Sequence, residues 1–214
     1  MRLVLVGGGG HGRSVLDAVR TGGLHEVVAC TDPRPELAGT ELDGVPILGD
    51  DSLLPGLLAS GSRGACVGVG GTHDNDPRRR LFEQLEALGF ELPPIVHGTA
   101  TVAGNAEVGR GSVILAGAIV GPGARVAENV VINTGALVEH DCAVEAHVHL
   151  ATRATLGGQV TVERLAHVGL SASVIHGGHI GAEAVVGAGA VVIRDVDNGT
   201  TVTGCPAVPV QIGR

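Results

Sequence analysis

At 214 residues the chain has room for one large or two modest domains. With 44% hydrophobic and 17% charged residues it can bury a core and is not a disordered chain. A formal net charge of −8 disfavours nucleic acid as a partner, and no apolar run approaches the ~20 residues that cross a membrane.

Four cysteines, Cys30, Cys66, Cys142 and Cys205, are far apart and form no CxxC pair, which points to reduced thiols and a cytoplasmic protein. No signal-peptide pattern is visible. Residues 2–6 read as a short strand, residues 7–12 as a glycine turn, and residues 13–20 as a helix. Gly7, Gly9 and Gly12 satisfy G-x-G-x-x-G, and Asp32 follows a second strand at residues 27–30. That spacing matches a dinucleotide-binding fingerprint. Its physical content is less specific: glycines let a phosphate approach backbone N–H groups at a helix N-terminus, where the dipole favours negative charge. NAD, a nucleotide diphosphate and a purely structural turn all remain open. NAD wants two mononucleotide halves, but the repeat described below leaves room for only about four strands before it, so a nucleotide diphosphate leads.

Residues 44–49 suggest an edge strand that tolerates Pro46, residues 51–60 a helix, and residues 64–70 a strand ending in a second glycine turn. Residues 76–88 read as a helix with an acidic N-cap and Pro77 at its first position. Arg78, Arg79 and Arg80 open it, and a solvated surface suits them at least as well as phosphate contact. Alternating strands and helices predict a small Rossmann-like parallel α/β domain over residues 1–94, with Pro93 and Pro94 at the joint.

From Val102 to Val192 every sixth residue is Val, Ile or Leu, sixteen times without a break. The residue two places earlier is small in thirteen of the sixteen, and Gly follows the aliphatic slot at 109, 121, 157, 169, 181 and 187. A period of six suits a parallel β-helix, with the aliphatic side chains turned to the axis and Gly relieving the bend. Three hexads make an 18-residue coil, stacked at about 4.8 Å. Two Phe and no Tyr or Trp agree with a core too narrow for rings. The β-helix and its tail are assigned to residues 95–214.

Within the coils polarity gathers between Asn133 and His149. His140 falls two places after its slot, outside the core, with Glu139 before it and Asp141 after it. An imidazole beside a carboxylate is the arrangement of a general base, whose tautomer the carboxylate fixes. His149 and His167, one coil apart, are expected in one column, and His140 and His176, two coils apart, in another. A surface corner is the favoured place for His147, His167, His176 and His179. Cys142 occupies an inward slot, which argues against a covalent intermediate. Pro206 ends the last strand.

These stretches together resemble the bacterial sugar acetyltransferases that act on nucleotide-linked amino sugars or sialic acid, a branch of the hexapeptide-repeat, left-handed β-helix acyltransferases. The resemblance covers nearly the whole chain. It rests on residues 7–12 with His11, on Asn133, on residues 139–141, on His149 nine residues after His140, on residues 156–158 and on residues 204–207. It implies that His140 is the catalytic base and Asp141 its orienting acid. Gly9, Gly10, His11, Gly12 and Asp32 would hold the nucleotide-sugar, and Asn133 would lie near the acceptor. His149, Gly157, Gly158, Gly204, Pro206 and Ala207 would meet acetyl-CoA. It further implies a homotrimer with active sites between subunits, and no metal. The chain departs from the family pattern at Gly98, at Thr152 and Arg153, and at Val208 and Pro209. Those changes put in doubt the corner after His149 and a phosphate contact at the tail.

The expected reaction is direct N-acetylation of a UDP- or GDP-linked 4-amino sugar, with backbone N–H groups stabilising the oxyanion. O-acetylation of a sialic acid is the alternative, and a non-catalytic β-helix scaffold a remoter one. A metal enzyme of the γ-type carbonic anhydrase kind would need histidines five apart, and no two are.

Overall fold

The computed structural model describes residues 1–71 and 73–210. The N-terminal part is a five-stranded sheet in the order β3-β4-β2-β1-β5. Its strands are β1 (Arg2–Val6), β2 (Glu26–Thr31), β3 (Glu41–Leu42), β4 (Val45–Gly49) and β5 (Gly64–Val67). All pair in parallel except β3 with β4. Asp43 and Gly44, both at positive φ, make the tight turn that folds β3 onto β4. The sheet therefore gains a fifth strand, and β4 is not the edge that its proline suggested.

Helix α1 (Gly10–Gly22) buries Val15, Leu16, Ala18 and Val19, and Gly23 at φ 71° ends it in the left-handed conformation. Helix α2 (Leu54–Ala59) follows a short 3-10 turn, and α3 spans Asp76–Leu88. Strand order reverses between β1 and β5. In open α/β sheets that switch point is where ligands bind, beyond the strands' carboxyl ends, and Gly7 and Gly68 stand there. Close packing there needs glycine at positions 12 and 68: a Cβ on Gly12 or on Gly68 would lie 2.1 or 2.3 Å from the Gly7 carbonyl oxygen.

From Ile95 the chain winds into coils of three short strands, one on each of three sheets. Register advances by 18 residues per coil, as in Leu137 with Thr155 and Thr155 with Ser173. Inward slots from Ile114 to Val202 form one continuous aliphatic core. The first coil begins at Ile95–Val96, one hexad before the period becomes visible. After Val192 the step shortens, because Val196 pairs with Ile180 and Val202 with Val186.

The corners differ from the sequence expectation in one respect. Glycines just after the slots do not supply the bend, since none has positive φ. They are there because a Cβ would lie 2.4 to 2.9 Å from atoms of the next coil. The bend lies two residues further on. Fourteen successive corners, from Gly111 to Gly189, carry positive φ three places after the slot, and eight of those residues are not glycine.

The N-terminal part packs on the β-helix sheet that contains His149–Leu150 and His167–Val168. Ile95, Val113 and Leu115 join Leu5, Leu16 and Val19 in one apolar cluster. Polar bonds fix the rest of the seam. Arg78 is buried, neither solvated nor near a free surface. Its guanidinium donates to the Asn129 backbone oxygen, and to Asn129 Oδ1 (2.9 Å), His147 O (2.6 Å) and Val148 O (3.1 Å). Burial pulls it down to about 9. Arg79 and Arg80 instead pair with Asp76 and Glu83 along their own helix. The N-cap of α3 is Asn75 rather than Asp76, and its amide donates to Leu165 O and Ala166 O, 3.0 Å each.

A second β-helix sheet, with its corners, exposes Ile119, Leu170, Ile175 and Ile193.

Candidate active site

His140 and Asp141 stand at a corner between two sheets, after Leu137–Val138 and before Ala143–Val144. Asp141 is one of the positive-φ corner residues, at 59°. Its carboxylate oxygen lies 2.9 Å from His140 Nδ1. With the carboxylate accepting, Nδ1 carries the proton and Nε2 keeps its lone pair, the tautomer a base requires. Glu139 accepts the His140 backbone N–H at 3.1 Å. Both side chains of the His–Asp pair are about half exposed, so their partners lie outside this chain's core.

The column around His140 explains two glycines. A Cβ on Gly158 would come within 2.4 Å of His140 Nε2, so the base lies over the bare backbone of the next coil. Gly157 makes the same close approach to the backbone of His176. The rings of His140 and His176 are 6.1 Å apart. Cys142 points inward, donates to Gly157 O at 3.1 Å and is raised by burial.

Asn133 and His149 belong to a different edge. Asn133 Nδ2 is 3.2 Å from His149 Nε2. His149 does not stand open beside the base: it is 4% exposed beneath the N-terminal part. Its ring centroid is 6.3 Å from that of His11 in the glycine turn and 5.0 Å from that of His167. Burial, with nearby His167 and Arg78, holds His149 down at about 2. Burial and Arg78 hold His11 at about 4. His167 is likewise at about 4, from burial and from His73 and Arg78. All three are neutral imidazoles. The surface position expected of His167 is therefore corrected: it is sealed in the seam. His147 is half-buried, bonded to Asn129 Nδ2 at 2.9 Å and packed edge-on against Phe82. His179 meets Glu163 at 2.9 Å.

In the glycine turn, Gly9 caps α1 without a side-chain bond, and no acidic residue occupies the first turn. A Cβ on Gly10 would meet nothing, and one on Gly9 would meet only Arg34. The mouth of the turn is thus open backbone at a positive helix end. Asp32 is buried, and Arg34, which the sequence reading passed over, holds it at about 2. At the tail, Gly204 O accepts from Val191 N–H and the Ala207 N–H donates to Val191 O. This carries residues 204–207, with Cys205–Pro206 in cis, onto the end of the sheet that contains Leu137, four strand spacings beyond it. Among the described residues no group of three or more His, Cys, Asp or Glu is placed to hold a metal ion. No helix of the described residues is long and apolar enough to cross a membrane.

A β-helix of hexapeptide coils, with an exposed His–Asp pair on one corner and a phosphate-type glycine turn on another face, defines an acyltransferase of the left-handed β-helix class. Residues 2–85 match the PglD N-terminal domain. No curated protein sequence matches the chain. The acetyltransferase domain of PglB from Neisseria gonorrhoeae is 34% identical, with a TM-score of 0.90 over 98% of this chain and 99% of that one. PerB from Caulobacter crescentus, solved with CoA and GDP-perosamine, is 35% identical, with a TM-score of 0.92 over 99% and 98%. A histidine-to-alanine variant of the GDP-perosamine N-acetyltransferase from the same organism, with the same ligands, gives 0.93 at the same identity and coverage. The chain belongs to this family of bacterial sugar acetyltransferases.

Proposed function

We propose that the protein transfers the acetyl group of acetyl-CoA to the amine of a nucleotide-linked 4-amino sugar. The observation that carries this reading is the His140–Asp141 pair at 2.9 Å, in a chain that aligns end to end with an enzyme solved with CoA and GDP-perosamine. His140 Nε2 removes a proton from the amine as its nitrogen attacks the thioester carbonyl carbon. Asp141 stabilises the imidazolium that forms. As the C–S bond breaks, His140 returns that proton to the departing sulfur, leaving an amide and a free thiol. Backbone N–H groups at the cleft stabilise the oxyanion.

The acceptor's nucleotide is assigned to residues 9–12, with Asn133 near the sugar. The acyl donor is assigned to Gly157, Gly158 and the turn at Gly204, Pro206 and Ala207 of one copy. It is assigned to His149 of a neighbouring copy only through the Nε2 edge that it shares with Asn133, since the rest of its ring is sealed in the seam. His140 stands at the margin of the sheet that the tail extends, four strand spacings or about 19 Å away, which suits an extended thioester lying along the helix axis. His140 is on one edge of the prism, whereas Asn133, His149 and His11 are together on another. A complete site therefore needs a neighbouring copy, and the exposed Ile119, Leu170, Ile175 and Ile193 offer the apolar strip for it. A homotrimer with sites between subunits satisfies both observations. The two functional units are residues 1–94 and 95–214, working in the cytoplasm.

The test is release of free CoA from acetyl-CoA against UDP- and GDP-linked 4-amino sugars, their 3-amino isomers, and free and CMP-linked sialic acid, with His140→Ala as control. Turnover of a 4-amino sugar that the variant loses is expected. Turnover of sialic acid alone would overturn the N-acetylation reading.

A further inference from the structure

Asp32 stands where a Rossmann-type site places a carboxylate to read ribose hydroxyls, but here it has no capacity left for that. Its Oδ1 accepts from the backbone N–H of Arg34 (3.1 Å) and from Arg34 Nε (2.8 Å). Its Oδ2 accepts from the backbone N–H of Gly8 (2.8 Å) and from Arg34 Nη2 (2.9 Å). A carboxylate offers about four lone-pair sites, and all four are taken inside the chain. The carboxylate is 5% exposed, whereas the Arg34 side chain is 49% exposed.

The pairing aims the guanidinium. A two-pronged Arg–carboxylate fork fixes the plane of the arginine as well as its position. Arg34 Nη2 lies 3.6 Å from where a Cβ on Gly9 would be, directly at the uncapped start of α1. Of the guanidinium's five N–H donors, two are spent on Asp32, which leaves three at the mouth of the glycine turn. Helix end and guanidinium both present positive charge to one open space. Of the carboxylates that act on Arg34, Asp32 is already neutralised by the fork and Glu36 makes no hydrogen bond to it among the described residues.

We propose that Arg34, locked over Gly9 by Asp32, is the residue with which this chain selects acceptors joined through a diphosphate. Asp32 is then a positioning residue that acts through Arg34 and does not touch ribose. The inference rests on the nucleotide-sugar reading and makes it narrower, since a linkage with two phosphates gains more from this paired cation than a monophosphate does.

The experiment is calorimetric titration of the full chain with GDP, UDP, GMP, UMP and 2′-deoxy-GDP, using wild type, Arg34→Gln, Arg34→Lys, Asp32→Asn and the double variant Asp32→Asn with Arg34→Gln. Arg34→Gln leaves the buried Asp32 carboxylate without its cation and should lower the thermal unfolding temperature. Each titration is therefore run well below the unfolding temperature of that variant, and the double variant, which removes both charges, separates lost stability from lost phosphate contact. The expected result is a loss of about tenfold or more in diphosphate affinity for Arg34→Gln, little change for the monophosphates, and partial retention by Arg34→Lys. Asp32→Asn should weaken the diphosphates in the wild-type background and do nothing further in the Arg34→Gln background. Undiminished GDP and UDP affinity in Arg34→Gln would overturn the assignment. So would a second, additive loss in the double variant together with poorer binding of 2′-deoxy-GDP, which would put Asp32 on the ribose. A wild-type chain that binds neither GDP nor UDP would sink the nucleotide-sugar reading itself, and the inference with it.

Discussion

Acidification should unfasten the seam between the two parts of the molecule. His149 and His167 are 4% exposed, and together with His11 they are held neutral at about 2, about 4 and about 4 respectively. In the unfolded chain each would accept a proton near 6.5. Their folded values lie below the unfolded one, so the stability they permit is complete above about pH 6.5. It is lost progressively as pH falls from there toward the folded values, because only the unfolded chain takes up protons in that window. At pH 5 each site costs about 2 kcal/mol relative to pH 7.5, and the three together about 6 kcal/mol, comparable to the whole stability of many domains. Asp32 adds nothing here, since its own loss begins only below about 4. With no Tyr or Trp in the chain, the assay is urea denaturation followed by far-ultraviolet circular dichroism at both pH values. His167→Gln should lower stability at pH 7.5 but shrink the difference between the two pH values by about 2 kcal/mol. A wild type equally stable at pH 5 and 7.5, or a variant that keeps the full difference, would refute the reasoning.

Gly158→Ala should cut kcat by more than about tenfold with an unchanged dichroism spectrum, because the new methyl would displace His140 Nε2. Asp141→Asn should lower kcat by about one to two orders of magnitude while leaving CoA affinity alone, as measured by steady-state kinetics beside direct binding. Ser171 is exposed at a positive-φ corner, at 54°, so Ser171→Gly should raise stability by about 1 kcal/mol in denaturant titration. Arg78→Met strands the carbonyls of Asn129, His147 and Val148. It should cost about 2–3 kcal/mol and speed amide exchange in α3 before it does so in the coils distal to the seam.

The β-helix was legible because its period repeats sixteen times, and any error in one hexad is outvoted by the others. The His–Asp pair was legible because both members are neighbours in sequence, so the corner that joins them is local. What escaped was long-range. Arg78 reads as one of three surface arginines, and only tertiary packing separates it from Arg79 and Arg80. The burial of His167 depends on which of three equivalent faces the N-terminal part covers, and a six-residue period treats the faces alike. The positive-φ corners were missed for another reason. Eight of them hold Asn, Asp, His, Arg, Gln, Leu, Ser or Glu, so no shared residue type marks the position. Arg34 left a readable signal, an arginine two places after the strand-end aspartate, but the motif directs attention to the aspartate alone.

The eighteen-residue register has a bearing on how such a chain can change over generations. A deletion of two residues inside the coils would turn every later side chain to a new face relative to the N-terminal part, and one between His140 and His176 would part that pair as well. Insertions and deletions before the site are therefore tolerable only in whole coils, whereas beyond it the frame can slip. The one slip among the described residues of the coils, the shortened step from Val192 to Val196, falls after the last coil that contributes to the base's column. Length variation among relatives should collect at that same end.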